Sequence, residues 1–227
     1  MLDGECTIKI HEDFDAGLGG TLFDGSVALT NYLESLVREH GKEYFEPMTV
    51  IELGAGCGFP GLFVSKLGAK RTILTDVGDH VQLLQENIEL NELTSRCVAQ
   101  SLDWTNLKEV DGLKSLSPDL ILCADVVCAF SCSQHLALIF SSCVLDLEEL
   151  VEPLIHVFQQ IATPTTQILF SLPKARMPLA SEKFWSLAPQ SLYIEKIPAE
   201  TFVKNWKPGN KQFLNAREGV FRFRLKN

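Results

Sequence analysis

The sequence lacks any long apolar run, and none of its hydrophobic stretches reaches the roughly 18 residues that a membrane-spanning helix requires. Its first residues carry neither the basic start nor the apolar core of a secretory signal, so we expect no secretion and no membrane partner. Basic residues are also in deficit, because 20 Lys and Arg stand against 29 Asp and Glu, for a formal net charge of −9. This balance argues against non-specific nucleic-acid binding, which needs a basic surface.

The seven cysteines are irregularly spaced and form no C-x-x-C pair, which argues against a zinc site and against a disulfide framework. We therefore expect reduced thiols and a cytoplasmic or nuclear protein. The histidines show no metal-ligand spacing either, so we expect no metal and interpret each as a surface or core residue. They are His11, His40, His80, His135 and His156.

Apolar segments of strand length alternate with helix-like segments along the 227 residues, without internal repeats. The predicted strands are 6–11, 49–53, 71–76, 97–102, 119–124, 167–172, 191–197 and 220–225, with 6–11 a short edge strand. The predicted helices are 26–40, 79–90 and 147–161, and a further one that Pro60 begins and Gly68 ends. This order predicts an α/β fold with a doubly wound, mainly parallel sheet and an antiparallel C-terminal hairpin. We predict one domain over 1–227, with 1–25 as an N-terminal extension.

The densest chemical signal is a glycine-rich turn between the strand 49–53 and the following helix. Glycines there let the backbone approach a ligand closely, and the helix start offers free N–H groups. The pattern G-x-G-x-x-G over 56–61 matches the dinucleotide fingerprint and would indicate an NAD-linked oxidoreductase. The pattern E-x-G-x-G-x-G over 52–58 matches the turn that wraps the amino-acid end of S-adenosylmethionine. The second interpretation assigns cofactor contacts to Glu52, Gly54, Ala55, Gly56 and Gly58.

The placement of the turn favours the methyl donor. In a dinucleotide site the first fingerprint glycine closes the strand, whereas here the strand ends at Leu53 and Gly54 precedes the fingerprint by two positions. A carboxylate at Glu52 would repel a pyrophosphate but suits a ligand that carries a sulfonium cation and an ammonium group. Asp76, at the end of the next strand, can accept both ribose hydroxyls in either interpretation.

The adenine of such a cofactor is expected beyond the strand 97–102, where Asp103 and Trp104 follow. Asp103 is placed to accept from the adenine amino group, and Trp104 to pack on the purine face. The alternative for Trp104 is that it packs as a cap on the sheet.

Four blocks spread over most of the chain carry a family resemblance. Segment 8–19 is followed by 19–25, which matches G-x-x-x-W-D-A except that Phe23 replaces the usual Trp. The glycine turn carries a Pro-Gly-Leu tail at 60–62, and Leu-Asp-Trp stands at 102–104. Together these blocks resemble the class I, seven-strand, S-adenosylmethionine-dependent protein lysine methyltransferases of the methyltransferase-21 type, also called family 16.

The resemblance implies a Rossmann-like seven-stranded sheet, S-adenosylmethionine as cofactor, and a monomer acting on a protein substrate that carries a target lysine. The family follows its fourth strand with D-x-x-Y or D-x-x-F at the mouth where the lysine enters. Asp125 matches the acid, and we expect it to be the catalytic residue that holds the amine, with a helix cap as the alternative. Ala124 and Phe23 are assigned to the cofactor, although helix-start packing would also explain Phe23. Cys128 stands where the aromatic residue is usual.

Residues 128–145 interrupt the resemblance, because the helical pattern that should follow the aromatic residue resumes only at Leu147. One hypothesis is a retained intron, since in-frame excision between Cys128 and Asp146 would restore Tyr after Val127. The alternative is a genuine insertion that adds a helix over the substrate mouth. With the segment present we expect impaired catalysis, and sequencing the transcript across 127–147 distinguishes the two hypotheses.

Overall fold

Seven strands form one sheet in the computed structural model, which describes residues 6–126, 148–172, 178–198, 201 and 219–226. They are β1 Thr49–Leu53, β2 Arg71–Asp76, β3 Cys97–Ser101, β4 Leu120–Ala124, β5 Gln167–Leu172, β6 Leu192–Lys196 and β7 Gly219–Leu225. Their order across the sheet is β3-β2-β1-β4-β5-β7-β6. Strands β1 to β5 pair in parallel, whereas β7 is antiparallel to both β5 and β6. The predicted doubly wound, mainly parallel sheet with an antiparallel C-terminal strand pair is confirmed.

Six α-helices of the described residues cover the two faces of the sheet. They are α1 Asp24–His40, α2 Phe59–Lys66, α3 His80–Leu90, α4 Leu107–Leu113, α5 Val151–Ile161 and α6 Pro178–Ser191. Side chains alternate along each strand, and this alternation decides which helices each residue meets. In β1, Ile51 and Leu53 join the core beneath α4, α5 and α6, while Val50 joins the core beneath α1. Each face of the sheet therefore has its own apolar core.

The carboxyl ends of β1, β2 and β4 meet at one edge of the sheet. Strand β1 lies between β2 and β4, so the chain order reverses on its two sides. Such a switch point opens a crevice above the strand ends, where open α/β sheets bind ligands. The glycine turn follows the end of β1, Asp76 is the last residue of β2, and Asp125 follows the end of β4.

The prediction of an edge strand at 6–11 is wrong, because these residues are extended but do not join the sheet. Their backbone groups bond instead to side-chain amides of α3. Lys9 N–H donates to Asn91 Oδ1 at 2.9 Å, and His11 N–H donates to Asn87 Oδ1 at 2.6 Å. The two amides supply the hydrogen bonds that a neighbouring strand would supply, so an extended segment forms without strand pairing.

The remaining predicted elements match the observed ones closely, except that the helix expected from 147 begins at Val151. Helices α4 and α6 were not predicted. Residue 128 and the interrupting segment 128–145 lie outside the described residues, so both hypotheses on that segment, and the single-domain assignment, stay predictions. Within the described part of the chain, no helix is long and apolar enough to cross a membrane.

Candidate active site

The glycine turn leaves β1 at Leu53 and enters α2 at Phe59. Gly54, Gly56 and Gly58 have φ angles of 61°, 52° and 80°, the left-handed region that disfavours residues with a Cβ. The turn is held to its surroundings by the Ala55 N–H, which donates to the carbonyl of Thr75 at 3.0 Å. The sequence-predicted turn is therefore a fixed structural feature at the end of β1.

All three glycines also lie where a side chain would not fit, and a Cβ on Gly58 would lie 2.8 Å from Leu84 Cδ2. A Cβ on Gly54 would lie 2.7 Å from Val126 Cγ1 and 3.3 Å from Trp104 Cζ2. A Cβ on Gly56 would lie 2.8 Å from the carbonyl oxygen of Gly19. The turn is thus bordered by residues that follow β3 and β4 and by the segment that precedes α1.

Asp76, the last residue of β2, lies directly against the turn. Its Oδ2 accepts from the Gly56 N–H at 2.7 Å, and its Oδ1 accepts from the Val77 N–H at 2.8 Å. His80 Nδ1 lies 3.2 Å from the same Oδ1, with both side chains largely buried. This contact with Asp76 raises the pKa of His80, against the opposing effect of burial. The structure brings Asp76 to the turn as the sequence predicts, and its role toward ribose hydroxyls stays a prediction.

Glu52 lies inside the protein rather than at the surface of the crevice. Alternation along β1 turns its side chain away from Ile51 and Leu53 and toward α2, where it is 1% exposed. Its Oε2 accepts from the Gly61 N–H of the first turn of α2 at 2.8 Å. Burial raises the pKa of Glu52 to about 8, opposed by the Gly61 N–H and reinforced by the charge of Asp76. The contact that the structure shows joins β1 to α2, and direct contact with a cofactor stays a prediction.

The residues expected to meet adenine follow β3 as predicted. Trp104 is half-buried and packs on the core that includes α4, α5 and α6, with its ring beside Gly54. Asp103 is exposed, and its Oδ1 accepts from both the N–H and the hydroxyl of Thr105, at 2.8 and 2.7 Å. These bonds shape the turn that leads into α4. Trp104 borders the glycine turn, and contact of either residue with adenine stays a prediction.

Asp125 follows β4 in an unusual backbone conformation. Its φ is 62°, a left-handed value that costs energy for a residue with a Cβ. Its N–H still donates to the Ser171 carbonyl, which extends the β4–β5 pairing by one residue past the buried Ala124. The carboxylate turns back to α1, where Oδ2 accepts from the Ser26 N–H at 3.1 Å. Asp125 therefore caps the start of α1, as the helix-cap alternative predicts, and its catalytic role stays a prediction.

Phe23 lies at the N-terminal cap position of α1, immediately before Asp24. It is neither fully buried nor fully exposed. Its position next to the helix that holds Asp125 is compatible with both sequence interpretations, packing at the helix start and lining the crevice. Residue 128, the expected aromatic gate, lies outside the described residues.

Three features of the site were missed by the sequence analysis. His80 contacts Asp76, and the spacing Asp76-x-x-x-His80 at a helix start was an available signal. Asn87 of α3 and Asn91, the C-cap residue of that helix, are both buried, and paired amides four residues apart on an apolar face mark a structural hydrogen-bond site. The third is the position of Gly19 against the glycine turn, which no local pattern in the sequence indicates.

Several solved structures have a fold similar to that of this chain, including one named as a methyltransferase. An O-methyltransferase from Bacillus cereus, in complex with SAH, aligns with a TM-score of 0.55 and 13% identity over 94% of this chain and 86% of its own. TYW2 of P. horikoshii, in complex with MeSAdo, aligns with a TM-score of 0.50 and 18% identity over 98% and 68%. At these identities the comparison establishes the fold alone, which is the Rossmann-like methyltransferase fold.

Sequence comparison specifies the family. Residues 3–144 match the model of the family described as lysine methyltransferase, and the chain belongs to that family. Protein N-lysine methyltransferase METTL21A of Mus musculus is 34% identical over 128 residues, 53% of this chain and 54% of that protein. Protein-lysine N-methyltransferase EFM6 of Saccharomyces cerevisiae is 29% identical over 140 residues, 53% of this chain and 56% of that protein. The chain thus spans about half the length of these curated relatives.

Proposed function

We propose that this protein is an S-adenosylmethionine-dependent protein lysine N-methyltransferase. The observation that carries the proposal is the meeting of the glycine turn, Asp76 and Asp125 at the adjacent ends of β1, β2 and β4. The family assignment supports the methyl-donor interpretation of the turn over the dinucleotide one. An acidic chain with a net charge of −9 is also suited to a cationic substrate such as a lysine-bearing protein segment.

The residues at the crevice fit a cofactor with a ribose and a cationic amino-acid end. Gly54 and Gly56 present bare backbone at the turn, and Asp76 supplies a carboxylate where ribose hydroxyls are bound in this class of fold. Trp104 offers an aromatic surface for the purine, and Asp103 an acceptor at the protein surface. Glu52, beneath the turn, adds a carboxyl group whose ionised form a nearby cation would favour.

The chemistry required of the protein is the positioning and deprotonation of an amine. When bound, S-adenosylmethionine would supply a methyl group carried by a sulfonium, and the sulfur group that loses this methyl would leave as a neutral thioether. A lysine amine is protonated at neutral pH and must lose a proton to solvent water before its lone pair can attack. We assign to the Asp125 carboxylate the role of accepting hydrogen bonds from the N–H groups of the lysine amine. These bonds direct the amine nitrogen in line with the methyl group. The Ser26 N–H at 3.1 Å holds the carboxylate in place for this task.

The direct test is transfer of a labelled methyl group from S-adenosylmethionine into a cell lysate, followed by peptide mapping. We expect label on lysine side chains, weaker in the wild-type protein than in a variant lacking residues 128–145, and a further loss of at least tenfold with Asp125→Asn. Asp111→Asn, which neutralises an exposed carboxylate of α4, is the matched control and should label normally. Both variants should retain the melting shift caused by S-adenosylhomocysteine.

Three outcomes would contradict parts of the proposal. A melting shift with NAD and none with S-adenosylhomocysteine would contradict the cofactor. Label on arginine, histidine or nucleic acid would contradict the lysine acceptor. Binding of S-adenosylhomocysteine without any transfer would identify a methyltransferase fold without activity, and a variant lacking residues 128–145 would then test whether that segment is the cause.

A further inference from the structure

The N-terminal segment formed by residues 8–20 runs along α3 and ends on the glycine turn. The Lys9 and His11 backbones each bond twice to an amide of α3. Beyond them the chain closes on itself, because the Asp13 N–H donates to the Gly20 carbonyl at 2.8 Å. The Leu22 N–H also donates to Glu12 Oε1 at 2.7 Å. The segment is therefore held in one shape at the entrance to the crevice.

Asn87 joins this segment to the glycine turn. It is fully buried, and its amide makes three hydrogen bonds. Oδ1 accepts from the His11 N–H at 2.6 Å, while Nδ2 donates to the His11 carbonyl at 3.0 Å and to the Cys57 carbonyl at 3.1 Å. Cys57 lies inside the turn, so one side chain links the segment, α3 and the turn.

Asn91 provides a natural comparison on the same helix. Its Oδ1 accepts from the Lys9 N–H at 2.9 Å, and its Nδ2 donates to the Lys9 carbonyl at 2.7 Å. The remaining amide hydrogen goes to the Asn87 carbonyl within α3, at 2.8 Å. The two asparagines thus bind the segment alike, but Asn91 makes no hydrogen bond to the turn.

Gly19 brings the end of the segment onto both sides of the crevice. Its carbonyl lies 3.6 Å from Cys57 Sγ and would be 2.8 Å from a Cβ on Gly56. A Cβ on Gly19 itself would lie 2.8 Å from the ring of His80, which contacts Asp76. The segment therefore contacts both the glycine turn and His80, the residue that contacts Asp76 at the end of β2.

We propose that residues 8–20 form one wall of the cofactor crevice and that Asn87 is the positioning residue that fixes this wall to the glycine turn. The identity of the ligand rests on the function proposed above. The Cys57 carbonyl is held by a buried donor. Without that donor the turn keeps its hydrogen bonds to Thr75 and Asp76 but loses its link to α3, so the segment around Cys57 samples other conformations more readily. A ligand that needs the ordered turn must then restore the order on binding, which weakens its affinity.

The test compares Asn87→Ala with Asn91→Ala in the full chain. Calorimetry with S-adenosylhomocysteine should show affinity reduced about tenfold in Asn87→Ala and little changed in Asn91→Ala. Hydrogen exchange at the amides of residues 54–61 should accelerate in Asn87→Ala alone. Gly19→Ala, which breaks no hydrogen bond of α3, should also weaken binding because its methyl group displaces the wall from His80.

Equal affinities and equal exchange in the two asparagine variants would overturn the proposal and leave Asn87 a structural residue only. If Asn87→Ala does not fold, an unchanged affinity of Gly19→Ala for S-adenosylhomocysteine would contradict the proposal that residues 8–20 form a wall of the cofactor crevice. If the wild-type protein binds no S-adenosylhomocysteine, the proposed function fails, whereas hydrogen exchange at the turn still decides the role of Asn87.

Discussion

Replacing Glu52 by Gln should change the pH dependence of stability in a way that only the buried position of this residue explains. Glu52 is 1% exposed, and burial raises its pKa from 4.5 to about 8. Between those two values the folded protein binds a proton that the unfolded chain has released. Stability should therefore fall as pH rises from about 4.5 to about 8.

The magnitude follows from proton linkage. One proton of difference corresponds to about 1.4 kcal/mol per pH unit, so the full window is on the order of 5 kcal/mol. Gln has nearly the same shape, retains an oxygen that can accept from the Gly61 N–H, and does not ionise. We expect Glu52→Gln to match the wild type near pH 5 and to exceed it by a few kcal/mol near pH 8.

Urea unfolding followed by the fluorescence of the three tryptophans measures this effect at a series of pH values. Glu182→Gln, at an exposed position of α6, serves as the control and should follow the wild-type profile. Parallel stability profiles for the wild type and Glu52→Gln would refute the reasoning. They would mean that the carboxyl is ionised in the folded protein, with a partner that lowers its pKa.

Three further substitutions test other contacts. Gly25→Ala adds a methyl group that would overlap the Asp125 carboxylate. The rate of methyl transfer should therefore fall about tenfold, while the free energy of unfolding should change by no more than about 1 kcal/mol. An unchanged transfer rate would contradict the assignment of Asp125. Contact with Asp76 raises the pKa of His80 in the folded protein. Protonation of His80 therefore stabilises the fold fully below about pH 6.5, the ordinary value for histidine, and this contribution is lost as pH rises through the raised pKa. His80→Gln should therefore cost more at about pH 5.5 than at about pH 8.5 in urea unfolding, and an equal cost at both would exclude the pairing. Phe184→Ala removes a ring fully buried against the sheet and should cost about 3–5 kcal/mol, whereas a loss below about 1 kcal/mol would show that the cavity collapses.

The elements that could be predicted are those whose signal lies within a few residues. Strands β1, β2 and β5 have the predicted bounds, because each is a short, mainly apolar run whose ends are marked by polar residues, glycine or proline. Helix α4 was missed because it is only seven residues long and contains Gly112. Helix α6 was missed because Pro189 lies within it and its apolar periodicity is weak.

Local patterns in the chain were sufficient to predict the order of the seven strands, four of the six α-helices of the described residues, the glycine turn, and the acids that end β2 and follow β4. These depend on local composition and on the period of apolar residues, which a chain carries regardless of its partners. The packed fold brings Asp125 to Ser26, 99 residues earlier, and Asn87 to Cys57, 30 residues away, and no local pattern predicts either contact. It also decided the raised pKa of Glu52, since burial depends on which elements pack together and not on the neighbours of a residue in the chain.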